Sequence, residues 1–100
     1  MAYRIALSRM VRQQIGSLPG HIKAIAKQEI AGLSGNPRPS HSKELTGHPT
    51  FYRMWLGREY RLVWHVFDDV QVVEIEYVGP KTPDLYGHLG LERPVEEPDK

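Results

Sequence analysis

The chain predicts a small single α+β domain, with elements in the order β-α-α-β-β-β and an antiparallel sheet carrying two helices on one face. Two apolar periods predict it. Ile22, Ile25, Ala26, Ile30 and Leu33 fall on one stripe of a helix in the first third of the chain. After residue 50 the apolar period drops to two, in FYRMWLG, EYRLVWHVF and VQVVEIEYV, which are strand patterns. Their connections, Gly57-Arg58 and Asp68-Asp69, are so short that the three strands must be antiparallel neighbours.

Each element has its own signal. Tyr3, Ile5 and Leu7 alternate with Ala2, Arg4 and Ala6, giving a first strand that ends at Ser8. Ser8 is then the N-cap of a short helix carrying Met10, Val11 and Ile15 and stopping near Gly16. The second helix occupies LPGHIKAIAKQEIAGLSGNP and ends at Gly35 and Pro37. NPRPSHSKELTGHP follows as a polar, proline-containing loop expected on the surface. With helices on one face of the sheet, the other face is expected to present Arg53, Trp55, Arg61 and His65.

Bulk properties exclude several function classes. One hundred residues at 40% apolar suit one modest core. No apolar run approaches the ~20 residues that span a bilayer, and MAYRIALSRM lacks the apolar segment of a signal peptide, so the expected location is cytoplasmic. The absence of cysteine excludes disulfides, thiolate zinc sites and a cysteine nucleophile. His21, His41 and His88 have no ligand-like spacing, and no metal or cofactor is expected. The net charge of +1 hides an asymmetry. LERPVEEPDK, residues 91–100, carries four acids and two bases, leaving 11 bases and 8 acids in residues 1–90. The division is a mildly basic domain over residues 1–90 and an acidic tail over 91–100, with Pro94 and Pro98, expected to be disordered.

One stretch does not read as simple packing. In EYRLVWHVFDD, Leu62, Trp64 and Val66 share one parity, while Arg61, Val63, His65 and Phe67 share the other. An arginine inside such a run either pairs across the sheet with Glu74 or Glu76 or serves a site.

The order of elements, with NPRPSHSKELTG before the second strand, YRLVW in the third, YVGPK leaving the fourth and Tyr86 soon after, resembles the RelE/ParE superfamily of bacterial toxins, and within it the RelE-like branch. The resemblance spans about residues 2–89 and rests on Leu45, Gly47, Tyr52 and Arg53, on Tyr60-Arg61-Leu62, and on Gly79, Lys81 and Tyr86. It implies the toxin of a type II toxin-antitoxin module, a ribosome-dependent mRNA endonuclease that cleaves by 2′-hydroxyl attack. The implied partners are the ribosome with its mRNA, and a small DNA-binding antitoxin with a segment that folds on binding. A toxin-antitoxin hetero-oligomer would reach operator DNA through the antitoxin.

Carried over by position, Arg61 matches the strand arginine, Arg53 the basic residue of the second strand, Lys81 the basic residue after the fourth strand, and Tyr86 the late tyrosine. Trp55 departs from the lysine of some members, Pro80-Lys81-Thr82-Pro83 replaces the usual arginine loop, and the helix common after the tyrosine is missing. The chemistry fits these residue types. Cleavage builds negative charge on phosphate, which Arg61 can grip with two donors and Lys81 can meet as a point charge. His65 and His48 titrate near neutrality and are weaker acid/base candidates, and Tyr86 has an ordinary pKa near 10. Arg53, Trp55, Lys43 and Arg58 are the candidates for holding RNA. The alternatives are a ParE-like toxin that poisons DNA gyrase without cutting RNA, and an inactive relative that only binds antitoxin.

Overall fold

The computed structural model describes residues 2–83 and 85–91. Strand β1 (Arg4–Ala6) leads into helices α1 (Arg9–Gly16) and α2 (Gly20–Gly32). Strands β2 (Lys43–Leu45), β3 (His48–Leu56), β4 (Tyr60–Phe67) and β5 (Val72–Pro80) follow, and a single helical turn, α3 (Leu85–His88), comes after them. The strands form one sheet in the order β1-β5-β4-β3-β2. From β2 to β5 the neighbours are antiparallel, as their short connections require. β1 instead lies parallel to β5, with Arg4 opposite Val72 and Ala6 opposite Glu74. The α+β class therefore holds with a mixed sheet in place of the expected antiparallel one. The helices carry the chain over one face from β1 toward the far edge, and the meander returns β5 to β1's side.

Local chemistry explains the helices. Ser8 caps α1, its hydroxyl accepting the Val11 amide at 3.1 Å. α2 buries Ile22, Ala26 and Ile30, with Leu33 just beyond its end, against Met54, Leu62, Trp64 and Val66 of the sheet. Ile25 is 36% exposed, so the buried stripe is narrower than the spacing predicts. Gly57, at the β3–β4 turn, has φ +68°, and a Cβ there would lie 2.9 Å from Ile22 Cδ1. Both backbone conformation and close packing require glycine at that position.

The loop reading of residues 36–49 needs correction. Lys43–Leu45 is a short edge strand whose Leu45 is buried, and Pro37 is buried with its carbonyl accepting Trp64 Nε1–H at 2.9 Å. Apolar residues inside a polar segment found cover that composition alone concealed.

A second cluster occupies the sheet face opposite the helices. Leu45, Val63, Leu85, Tyr86 and Leu91 form it, with Phe51, Tyr77 and Leu89 against its margin. α3 and the residues after it thus cover ground expected to face water. Leu91, the first residue of the acidic tail, is part of this cluster, while residues 92–100 lie outside the described residues. Among the described residues no helix is long and apolar enough to cross a membrane. Gly57→Ala should lower stability by about 1–3 kcal/mol in urea titration, through left-handed strain and the clash with Ile22. An unchanged unfolding midpoint would show that the turn and Ile22 yield freely.

Candidate functional site

β4 is a central strand, and its two faces set the site. Leu62, Trp64 and Val66 enter the core under the helices, and Val63 enters the second cluster. Arg61 lies one position before Leu62 and is 0% exposed. The expectation of an exposed strand arginine is therefore overturned. Nor do Glu74 and Glu76 lie across from it: the register sets Trp55 on one side and Gly79 on the other.

Three elements hold the Arg61 guanidinium. β3 supplies Trp55, whose ring centroid lies 4.1 Å from the guanidinium carbon. α3 supplies Tyr86, 2% exposed, whose ring centroid is 6.0 Å away and whose hydroxyl accepts a hydrogen bond from Nη1 of Arg61. Both rings are within cation–π range. Gly79 of β5 stands directly opposite, and a Cβ there would fall 2.7 Å from the Tyr77 hydroxyl, which itself donates to the Pro80 carbonyl at 2.6 Å. A charge out of water costs several kcal/mol unless other groups replace its hydration, and aromatic faces with a hydroxyl do so here.

Arg53 lies two residues along β3 from Trp55, on the same face, across from Val63 of β4 and Lys43 of β2. It is buried at 7% exposure, so the expectation that the open face presents it is overturned too, and one such step along a strand is about 7 Å. Lys43 is exposed on the edge strand, and Arg58 is exposed in the β3–β4 turn. Lys81 follows β5 at the Arg61 end of the sheet, its amide donating to the Glu59 carbonyl at 2.9 Å and its Nζ lying 3.4 Å from the Thr82 carbonyl. Arg61, Trp55 and Tyr86 are thus in contact, Arg53 lies one strand step from Trp55, and Lys81 follows β5 at the same end of the sheet.

The two histidines are elsewhere. His65 is four residues from Arg61 along β4, about 13 Å at strand rise. Its ring stacks on Phe51 with centroids 3.9 Å apart and leans on Phe67 at 4.0 Å. Burial pushes its imidazole below the ordinary value, with Glu74 pulling the other way. His48 meets Phe51 edge-on at 6.3 Å. Beside His65, burial and then the neighbouring Glu74 carboxylate push the Glu76 carboxyl up to about 7.

Sequence reasoning missed the wall of the site: Val63, Leu45, Leu85 and Leu91, and the glycine opposite Arg61. A signal existed, since Val63 sits between Arg61 and His65 with the same parity, and a valine on that face argues against open water.

A folded-state pKa of about 7 against an ordinary 4.5 means that the Glu76 proton is held more tightly in the folded chain. Its stabilising effect is full below pH 4.5 and is lost as pH rises through 7. The wild-type chain should therefore lose stability relative to Glu76→Gln over that window, read as diverging thermal midpoints. Parallel curves would mean that Glu76 ionises normally.

No family model matches the chain, and no curated protein matches it by sequence. Solved structures do. A mutant of the E. coli toxin RelE in the free state is similar with a TM-score of 0.74 and 24% identity, over 90% of this chain and 96% of that one. The archaeal RelE-RelB complex from Pyrococcus horikoshii has a chain similar at TM-score 0.71 and 25% identity, over 83% of this chain and 99% of that one. The intact E. coli RelBE toxin-antitoxin complex gives 0.69 and 26%, over 81% and 99%.

Proposed function

We propose that this chain, whose fold is that of the RelE toxins, is the toxin of a toxin-antitoxin module and acts as a ribosome-dependent mRNA endonuclease. The observation that carries the reading is the contact of the Arg61 guanidinium with Trp55 and Tyr86 on a RelE-like sheet, and Arg53 on β3 and Lys81 after β5 support it. A cognate antitoxin is the partner, by analogy with the RelB chains bound to the similar RelE proteins. Operator DNA would be reached through that antitoxin.

In this reading the RNA 2′-oxygen attacks the adjacent phosphorus, its proton is removed, and the 5′-oxygen leaves with a proton. The products are a 2′,3′-cyclic phosphate and a free 5′-hydroxyl. Arg61 meets the charge that builds on the phosphoryl oxygens, with two parallel donors. Lys81 adds a point charge, the exposed Lys43 and Arg58 hold the backbone on either side, and the buried Arg53 adds its charge from beneath the surface. Trp55, 37% exposed, offers a face for a base. Tyr86 is a proton-bearing group already in contact with Arg61, and it takes the proton-handling role ahead of His65 and His48.

The burial of Arg61 adds a condition. A phosphate reaches the guanidinium only when the Tyr86 hydroxyl releases Nη1 and its ring swings aside, which leaves that hydroxyl beside the phosphate. The same burial favours a second reading, a chain that binds antitoxin but does not cut.

The test is the wild-type chain added to translating ribosomes, which should yield mRNA fragments ending in a cyclic or 3′-phosphate while naked RNA is cut poorly. Arg61→Ala should lower cleavage at least about 100-fold. Because Arg61 is buried, that variant should also lose about 2–4 kcal/mol of stability, so folding is checked by circular dichroism. Arg61→Lys should recover part of the activity, and Arg4→Ala, at the exposed start of β1, should retain all of it. Intact mRNA with arrested gyrase on supercoiled DNA would favour the ParE-like function. Intact mRNA with no effect on gyrase or growth would favour the antitoxin-binding relative.

A further inference from the structure

At the end of β4 away from Arg61, three side chains converge that the proposed nuclease does not use. His65 and Glu74 are directly opposite in the β4–β5 register. The register shifts between Val63 and Trp64, which pair with Tyr77 and Ile75, so Glu76 is the extra residue of a bulge on β5. Bulges re-aim side chains, and here the ligand atoms of His65, Glu74 and Glu76 all lie within 4.8 Å of one another.

We propose that His65, Glu74 and Glu76 form a binding site for a divalent transition-metal ion of the zinc class. A tetrahedral ion with ligands at about 2.0–2.2 Å sets its donors roughly 3.4 Å apart. The three groups need contract by at most about 1.4 Å to reach that spacing, within the swing of two glutamate side chains. The imidazole is already oriented. Its ring is clamped by Phe51 at 3.9 Å and Phe67 at 4.0 Å, which fixes its plane as a supporting hydrogen bond fixes other ligating histidines.

The donor set chooses the metal. One imidazole nitrogen with two carboxylates suits borderline ions such as Zn²⁺, and the absence of sulfur disfavours Cu(I). Glu74 is exposed, and a hollow of about 290 Å³ bordered by Ser8 and Met10 opens beside the two glutamates, leaving room for water as a further ligand. The ion would tie β4 to β5 about 13 Å from the arginine.

The experiment is calorimetric titration of the chelator-treated full chain with Zn²⁺ alone. The expected result is one ion per chain with a micromolar Kd and a raised thermal midpoint. Glu76→Gln should weaken binding at least about tenfold, since removing a ligand costs no less than removing its support. His65→Phe keeps a ring stacked in the clamp but has no nitrogen, so it should lose binding while staying folded. His41→Ala, which removes the distant histidine paired with Glu29 at 3.1 Å, should bind as the wild type does. Mn²⁺ should broaden the NMR signals of Phe51 and Phe67 ahead of those near His21 or His41. Absence of binding at about 1 mM Zn²⁺, or unchanged affinity in both His65→Phe and Glu76→Gln, would overturn the site.

Discussion

A guanidinium with no exposed surface constrains everything around it. Arg61 cannot discard its proton, so the fold must supply both cover and polar company at one point of a sheet face. Trp55 is placed there by the antiparallel register of β3 and β4, and Tyr86 by a helical turn that folds back after β5. Once Tyr86 is seated, Leu85 and Leu91 follow it onto Leu45 and Val63, and the small edge strand β2 gains a core to pack against. The second cluster and the buried arginine therefore stand together.

This arrangement gives the domain two layers of unequal strength. The face under α1 and α2 is a continuous apolar core running from Val11 to Val78, with Trp64 at its centre satisfied by the Pro37 carbonyl. Among the described residues, the opposite face rests on a smaller cluster and on the segment from Leu85 to Leu91. Segments with few buried contacts are the ones that open locally at least cost. Arg61 lies on this face, fully buried while Leu85 to Leu91 are seated on it.

Exposed interactions elsewhere fasten the frame. Arg38 donates to Asp68 at 2.5 Å and to the Tyr52 hydroxyl at 2.9 Å, and the Tyr3 hydroxyl donates to the same aspartate at 2.6 Å. The hydrogen bonds from Tyr3 and Arg38 hold the Asp68 carboxyl below its usual range. The network joins the residue before β1, the loop after α2, β3 and the β4–β5 turn, although exposed pairs of this kind contribute little each.

Periodicity and capping chemistry are local, and what depended on them was legible from the chain alone. The Ser8 cap, the stripe through Ile22, Ala26, Ile30 and Leu33, and the strands separated by Gly57 and Asp68 all follow from contacts within a few residues. The inward set Leu62, Trp64 and Val66 follows from a period of two, and the order of these elements carried the likeness to RelE toxins. Tertiary structure decided the rest. β1 joins β5 in parallel across more than sixty residues, a pairing no local signal encodes. Whether Arg61 faces water depended on Tyr86, twenty-five residues away, and on the path of the chain after β5. The cluster of His65, Glu74 and Glu76 required a one-residue bulge, which alters the phase of one strand against its neighbour without altering either strand's own pattern. Alternation fixes which face a side chain takes, but what covers that face is set by segments distant in sequence.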